Sequence, residues 1–232
     1  MYKSLRVESC LFRDREDACE RVINILPKEI LKAEETVVLG VSEGGVYFAN
    51  KIAKALGARM DILITESIYS EVNPKLAIAM VGETEQIVMH KALIDAFDIS
   101  KDYIYSEAER KYREEISTYI DKYRGGQVLD GLDKKFVLLV DECVETGLTM
   151  MTAIKTVISL GAKNVFIAVP ILDNLVYENL VKVCDDLFCP SKIDDYISID
   201  YYYEILEQFS YEEIDKIMSN KSKLKKERIE NE

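Results

Sequence analysis

Two separate stretches of this chain follow one pattern, and that pattern leaves few folds open. Thr36-Val37-Val38-Leu39-Gly40-Val41 is a short, almost wholly apolar and β-branched run, which reads as a strand buried on both faces. Ser42-Glu43-Gly44-Gly45 follows as a turn. Next comes a helix with Ala49, Ile52, Ala53 and Leu56 on one face and Gly57 as its stop, then a strand from Met60 to Ile64. The unit returns further along. Phe136 to Val140 is a strand, Asp141 to Gly147 a loop, and the next helix carries Met150, Ala153, Ile154, Val157 and Ile158 before Gly161, with a last strand from Asn164 to Val169. Two strand–loop–helix–strand units with continuous apolar strands predict an α/β fold, a doubly wound parallel sheet with right-handed crossovers. Ligands in such sheets sit at the carboxyl ends of the strands, so the segments 42–45 and 141–149 are expected to face each other across one cleft.

The rest of the chain is read around that sheet. Asp14 caps a first helix whose apolar positions are Ala18, Val22, Ile25, Leu26 and Ile30. An excursion over 66–130 separates the two units. It holds a short strand at Leu76 to Val81 and a helix capped near Ser106, with a stripe of Ala108, Tyr112, Ile116, Tyr119 and Tyr123 that reads as a packing face. Tyr201 to Met218 reads as helical packing on the body. The expectation is a single domain over 1–218, with 66–130 as a mobile insertion or hood and 219–232 as a charged, frayed tail.

Charge and composition narrow the partners. Of 232 residues, 48% are hydrophobic and 31% charged, enough apolar material for a full core without staples. A net charge of −12 repels nucleic-acid backbones, so nucleic acid is not an expected partner. No apolar run approaches the roughly 20 residues that cross a bilayer, and Met1 to Arg6 is not a signal stretch, which predicts a cytoplasmic protein with no membrane partner. Five scattered cysteines form no metal or redox spacing and suit reduced thiols. The single histidine is His90, so a multi-histidine metal site is impossible and any histidine-dependent mechanism must use it.

Gly40-Val41-Ser42-Glu43-Gly44 matches G-x-S-x-G between a strand and a helix, the setting of a hydrolase nucleophile. That chemistry needs a histidine late in the chain, and none follows His90. The serine hydrolase at Ser42 is therefore the remote alternative. The second loop carries more. Asp141 and Glu142, adjacent at a strand end, can accept hydrogen bonds from the two cis hydroxyls of a ribose or share a magnesium ion with them. Thr146-Gly147-Leu148-Thr149, at a helix N-terminus, offers backbone N–H groups and hydroxyls to a phosphate. Together these groups suit a pentose phosphate held at both ends. The bland reading is that the two acids are solvated and Thr149 merely caps its helix.

Residues 137–149, Val-Leu-Leu-Val-Asp-Glu-Cys-Val-Glu-Thr-Gly-Leu-Thr, resemble the phosphoribosyl pyrophosphate (PRPP) signature of the type I phosphoribosyltransferases. The likeness extends to a bacterial and archaeal group of that family with unsettled substrate. It runs through Phe12-Arg13-Asp14-Arg15-Glu16-Asp17-Ala18, Asn73-Pro74-Lys75-Leu76-Ala77-Ile78-Ala79, Tyr123-Arg124-Gly125-Gly126 and Phe209-Ser210-Tyr211-Glu212-Glu213-Ile214. The resemblance implies magnesium-dependent transfer of a 5-phosphoribosyl group from PRPP to a nitrogenous acceptor, with release of pyrophosphate, in nucleotide metabolism and usually by a homodimer. Carried over by position, Asp141 and Glu142 would hold the ribose hydroxyls and the magnesium ion. Cys143, Val144, Glu145, Thr146, Gly147, Leu148 and Thr149 would wrap the 5′-phosphate. Ser42, Glu43, Gly44 and Gly45 would form the pyrophosphate loop. Cys143 is expected as a small filler rather than a nucleophile.

The chain departs from the group's pattern in one consistent direction. Ser42-Glu43-Gly44-Gly45 stands where the group reads Pro-Arg-Gly-Gly, Thr65-Glu66-Ser67 where it has an Arg-Lys pair, and Glu145 where it has Thr, Ser or Ala. Each change removes positive charge or adds negative charge beside a polyanionic substrate. One like-charge pair at about 4 Å and an effective dielectric of 20 costs roughly 4 kcal/mol. Cations of the excursion, such as Lys75, Lys91, Arg110 and Arg113, are candidates to compensate. The departures keep open an alternative on the same fold, a non-catalytic or regulatory module that binds a nucleotide, a less charged ligand or a protein partner.

Overall fold

The two apolar runs become neighbours. The computed structural model describes residues 10–207 and 212–219. Its strands are β1 (Val37–Gly40), β2 (Arg59–Ile62), β3 (Thr65–Tyr69), β4 (Ala77–Gly82), β5 (Ile87–Met89), β6 (Phe136–Val140), β7 (Asn164–Ala168), β8 (Ile171–Asp173), β9 (Asp186–Phe188) and β10 (Ser191–Ile193). Its helices are α1 (Arg15–Ile25), α2 (Lys28–Ala33), α3 (Glu43–Leu56), α4 (Lys91–Ala96), α5 (Lys101–Lys111), α6 (Ser117–Arg124), α7 (Leu148–Ser159), α8 (Asn174–Leu180) and α9 (Ile199–Tyr202). The central sheet has the order β2-β1-β6-β7-β9, and every pairing in it is parallel. The expected doubly wound parallel sheet is therefore the observed one. β1 and β6 pair in register from Val37 opposite Val137 to Gly40 opposite Val140, which ends both strands at one level.

Both faces of the sheet are covered, which is why its strands lack polar alternation. Val38, Leu138 and Val140 point into a core shared with Val22 of α1 and Phe48 and Ile52 of α3. Val37, Leu39, Val137 and Leu139 point the other way, onto Met150, Ala153, Ile154 and Val157 of α7. The strand period of two thus divides one apolar run between two cores.

Several expectations need correction. The first helix is two: α1 stops at Ile25, and Pro27, which has no N–H to give, precedes α2. Leu31 is buried there, whereas Ile25 and Ile30 are exposed. The helix placed near Ser106 begins at Lys101, where the Ser100 hydroxyl accepts the Asp102 N–H at 3.2 Å. It continues through a π-helical turn, Tyr112–Ile116, into α6. That turn inserts a residue and rotates the stripe. Ala108 and Ile116 pack inside the excursion, while Tyr119 and Tyr123 turn toward the cleft. The excursion also holds an antiparallel sheet, β3-β4-β5, of which the sequence pattern marks only β4. The stretch read as helical from Tyr201 is irregular over 204–207, and 212–219 is helical, with Ile214 and Met218 in the α1/α3 core. The tail beyond Ser219 and the Phe209-Ser210-Tyr211 segment lie outside the described residues.

Leu139 is fully buried at the centre of the sheet, while Ile158, expected on the packing face of α7, is 56% exposed. Leu139→Ala should therefore lower unfolding free energy by about 2–5 kcal/mol in urea titrations. Ile158→Ala should stay within about 0.5 kcal/mol.

Candidate active site

Because Gly40 and Val140 end level, the chain leaves both strands at the same place. The two following segments touch. The Ser42 hydroxyl donates to the Asp141 carboxylate and accepts the Gly45 N–H at 2.9 Å, so one side chain caps α3 and binds the acid of the other loop. A Cβ on Gly45 would lie 2.6 Å from the Val140 carbonyl oxygen, a contact only glycine avoids. Gly44 leaves the space that the Glu142 carboxylate fills.

The segment 42–45 is not the turn expected. Ser42 is the N-cap, and Glu43, Gly44 and Gly45 form the first turn of α3. The segment 141–147 is a loop, held by a bridge between Val144 and Leu172 of β8, with Val144 N–H donating to the Ile171 carbonyl at 3.2 Å. Gly147 is the N-cap of α7 at φ 78°, a left-handed conformation that favours glycine. Thr149 lies inside that helix and does not cap it.

The two helix N-termini therefore differ. On α3 the Ser42 side chain occupies one of the first-turn amides and Glu43 brings negative charge. On α7 no side chain caps the end, and Thr146 Oγ1 reaches the Leu148 N–H only at 3.5 Å. The α7 end keeps its donors and its positive dipole for an anion. Glu145 and Thr146 beside it are exposed.

A cleft of about 270 Å³ opens beside this junction, between Ser42 and Glu43, the Ile62–Glu66 segment, Thr149, and Tyr119 and Tyr123 of the excursion. Its walls are mostly apolar, and among the described residues the charged ones in its lining are Glu43 and Glu66. The excursion is fastened here by a buried ion pair. Arg124 at the end of α6 binds Glu83 and donates to the Ile62 carbonyl at 3.3 Å, and Glu83 accepts the Ile64 N–H at 3.0 Å. The excursion's expected cations are engaged or exposed elsewhere: Arg110 pairs with Glu107 and Glu114, Arg113 with Glu109, and Lys75 and Lys91 are exposed.

The family model of the phosphoribosyl transferase domain matches residues 12–205. The chain belongs to that family. Two Mycobacterium tuberculosis proteins named "putative phosphoribosyl transferase", from strains CDC 1551 and H37Rv, are each 26% identical to it over 204 residues. The match covers 88% of this chain and 45% of theirs, so the chain spans about half the length of the curated relatives it matches. The crystal structure of TT1426 from Thermus thermophilus superposes with a TM-score of 0.71 at 26% identity, covering 89% of this chain and 97% of that one.

In this phosphoribosyl transferase domain the electrostatics are set by burial. Asp141 is 7% exposed, and loss of solvent pushes its carboxyl up to about 7, against the pull of hydrogen bonds from Ser42 and from the Glu142 N–H at 2.7 Å. Burial likewise raises the Cys143 thiol to about 12, so it stays neutral, as a filler does. Ser42 has no histidine among its hydrogen-bond partners, and His90 caps α4 through Nδ1, so the hydrolase arrangement is not formed. One residue of the site has no signal in the sequence pattern. Arg15 of α1 forms an ion pair with Glu142, both side chains largely buried, and also donates to the Glu207 carbonyl. It stands in the Phe12–Ala18 segment of family likeness, but no spacing links position 15 to 142.

Because the folded protein holds the Asp141 proton up to about pH 7 and the unfolded chain releases it near the ordinary 3.8, the native state loses stability as pH rises between those values. Asp141→Asn keeps an acceptor for Ser42 and removes the charge. The variant should match wild type near pH 4 and become progressively more stable than it toward pH 7, by up to about 4 kcal/mol. Chemical denaturation across that range reads the difference.

Proposed function

We propose that this chain transfers a 5-phosphoribosyl group from PRPP to a nitrogenous acceptor, releasing pyrophosphate, with magnesium. The supporting observation is the contact between the α3 N-terminus and the 141–149 loop, which sets paired acids beside an uncapped helix end. In this reading Asp141 and Glu142 hold the ribose hydroxyls, and backbone amides from Glu145 to Thr149 receive the 5′-phosphate. Ser42 to Gly45 lie along the pyrophosphate. Part of the 66–130 segment covers the site and excludes water. No protein nucleophile is needed, because charge on an oxocarbenium-like ribose and a departing pyrophosphate is met by preorganised groups.

The acids suit the metal. Asp141 and Glu142 are hard oxygen donors, and magnesium is usually bound by one or two carboxylates together with substrate phosphates. They would hold it, and it would supply charge neutralisation to the leaving pyrophosphate. A second reading, a ligand-binding module that does not transfer, is favoured by the acidic lining of the cleft at Glu43 and Glu66.

Calorimetry with PRPP and magnesium, alongside a pyrophosphate-release assay over a set of purine and pyrimidine bases, separates the two. Wild type should bind PRPP and release pyrophosphate with at least one base. Glu43→Arg with Glu145→Thr should tighten PRPP roughly tenfold, about 1.4 kcal/mol, with a gain that shrinks as salt rises. Asp141→Asn in that background should abolish the gain. Binding without release from any base favours the second reading.

A further inference from the structure

The transferase reading leaves its pyrophosphate segment without a cation, since Glu43 stands where the family pattern has arginine. The fold brings one in from elsewhere. Arg15 lies on the N-terminal helix α1, 127 residues before its partner Glu142, and its side chain is 14% exposed. The Glu142 carboxylate accepts from Arg15 with one oxygen and presses the other against Gly44 in the first turn of α3. The guanidinium is therefore one carboxylate's width from the backbone that would meet pyrophosphate. Arg15 also donates to the Glu207 carbonyl, which fixes its orientation from a third segment.

A second observation marks the same spot. Tyr203 is 3% exposed, and its hydroxyl is buried with no hydrogen-bond partner among the described residues. Its charged neighbours are Glu142 and Arg15. A buried hydroxyl left unsatisfied is penalised, and a bound group accepting a hydrogen bond from it would remove the penalty.

We propose that Arg15 is the specificity-determining cation of the pyrophosphate segment, replacing from α1 the arginine that Glu43 displaces, with Glu142 as its partner in the ligand-free protein. An arriving pyrophosphate group takes over the Arg15 Nε–H now given to Glu142. The planar guanidinium suits this exchange because it offers a phosphate the same paired donors it offers a carboxylate. This inference rests on the placement of pyrophosphate at Ser42–Gly45.

The experiment titrates the full chain with inorganic pyrophosphate and, separately, with ribose 5-phosphate, which needs only the 141–149 loop. Arg15→Gln should weaken pyrophosphate at least tenfold and leave ribose 5-phosphate within about twofold. Arg13→Gln, which removes an equal charge at a 65% exposed side chain paired with Asp14, should change neither. Adding Glu43→Arg to Arg15→Gln should restore pyrophosphate binding, a rescue that a merely structural Arg15 would not show. If Arg15→Gln folds poorly, Arg15→Lys serves, with pyrophosphate weakened and the Glu43→Arg rescue again expected. Unchanged pyrophosphate affinity in the arginine variants, or no pyrophosphate binding by wild type, overturns the proposal. Pyrophosphate binding that depends on Arg15 while ribose 5-phosphate does not bind supports the role of Arg15 and removes the transferase reading instead.

Discussion

Everything at the candidate site follows from the in-register parallel pairing of β1 with β6. Parallel strands that start level also end level, and Gly40 opposite Val140 is the last pair on each. Segments almost one hundred positions apart in the chain therefore emerge side by side. The glycines of α3 then allow an approach closer than side chains permit, with Gly45 against the Val140 carbonyl and Gly44 against Glu142. A shift of one residue in this register would reverse which faces the strand residues occupy and would part Ser42 from Asp141.

The site that results gathers two acids at its centre and one cation at its edge. Asp141 is buried beside Glu142, and Ser42 and a backbone amide are its hydrogen-bond donors. Glu142 is balanced by Arg15 from α1. Such an arrangement is unfavourable for the isolated fold, because desolvated acids lose more than neutral donors return. Proteins keep unfavourable groups of this kind where a ligand or ion later offsets them, and strongly perturbed acids are accordingly enriched at functional sites. The uncapped end of α7 is the complementary feature, a set of donors that no side chain of the loop uses well.

The excursion is joined to this centre by few but specific links. Glu83 and Arg124 tie the end of α6 to the backbone at Ile62 and Ile64, the same segment that forms one wall of the cleft. Burial raises the Glu83 carboxyl while Arg124 opposes that shift, so the pair is sensitive to loss of either partner. The π-turn at Tyr112–Ile116 decides which aromatic residues face inward. It leaves Ile116 in the excursion's own core and sends Tyr119 and Tyr123, stacked on each other, to the cleft wall.

What can be read from the chain alone is whatever short-range pattern encodes. The four principal strands, the loop of Asp141 to Gly147, the Asp14 cap and the doubly wound class are properties of apolar period, turn residues and local hydrogen bonding, which act over a few positions. The break at Pro27 is legible in the same terms, although the apolar stripe of the first helix runs on across it. The tertiary structure alone decided the rest. The bond from Ser42 to Asp141 depends on β1 lying beside β6, and the direction of Tyr119 on the π-turn before it. The strands β8 to β10 are three residues each, too short to carry a period. Arg15 is the plainest case: its neighbours in sequence mark it as one more charge on an exposed first turn. Only the folding of α1 against α3 sets it on Glu142, because an ion pair is determined by distance in space, and no local pattern records a partner 127 residues away.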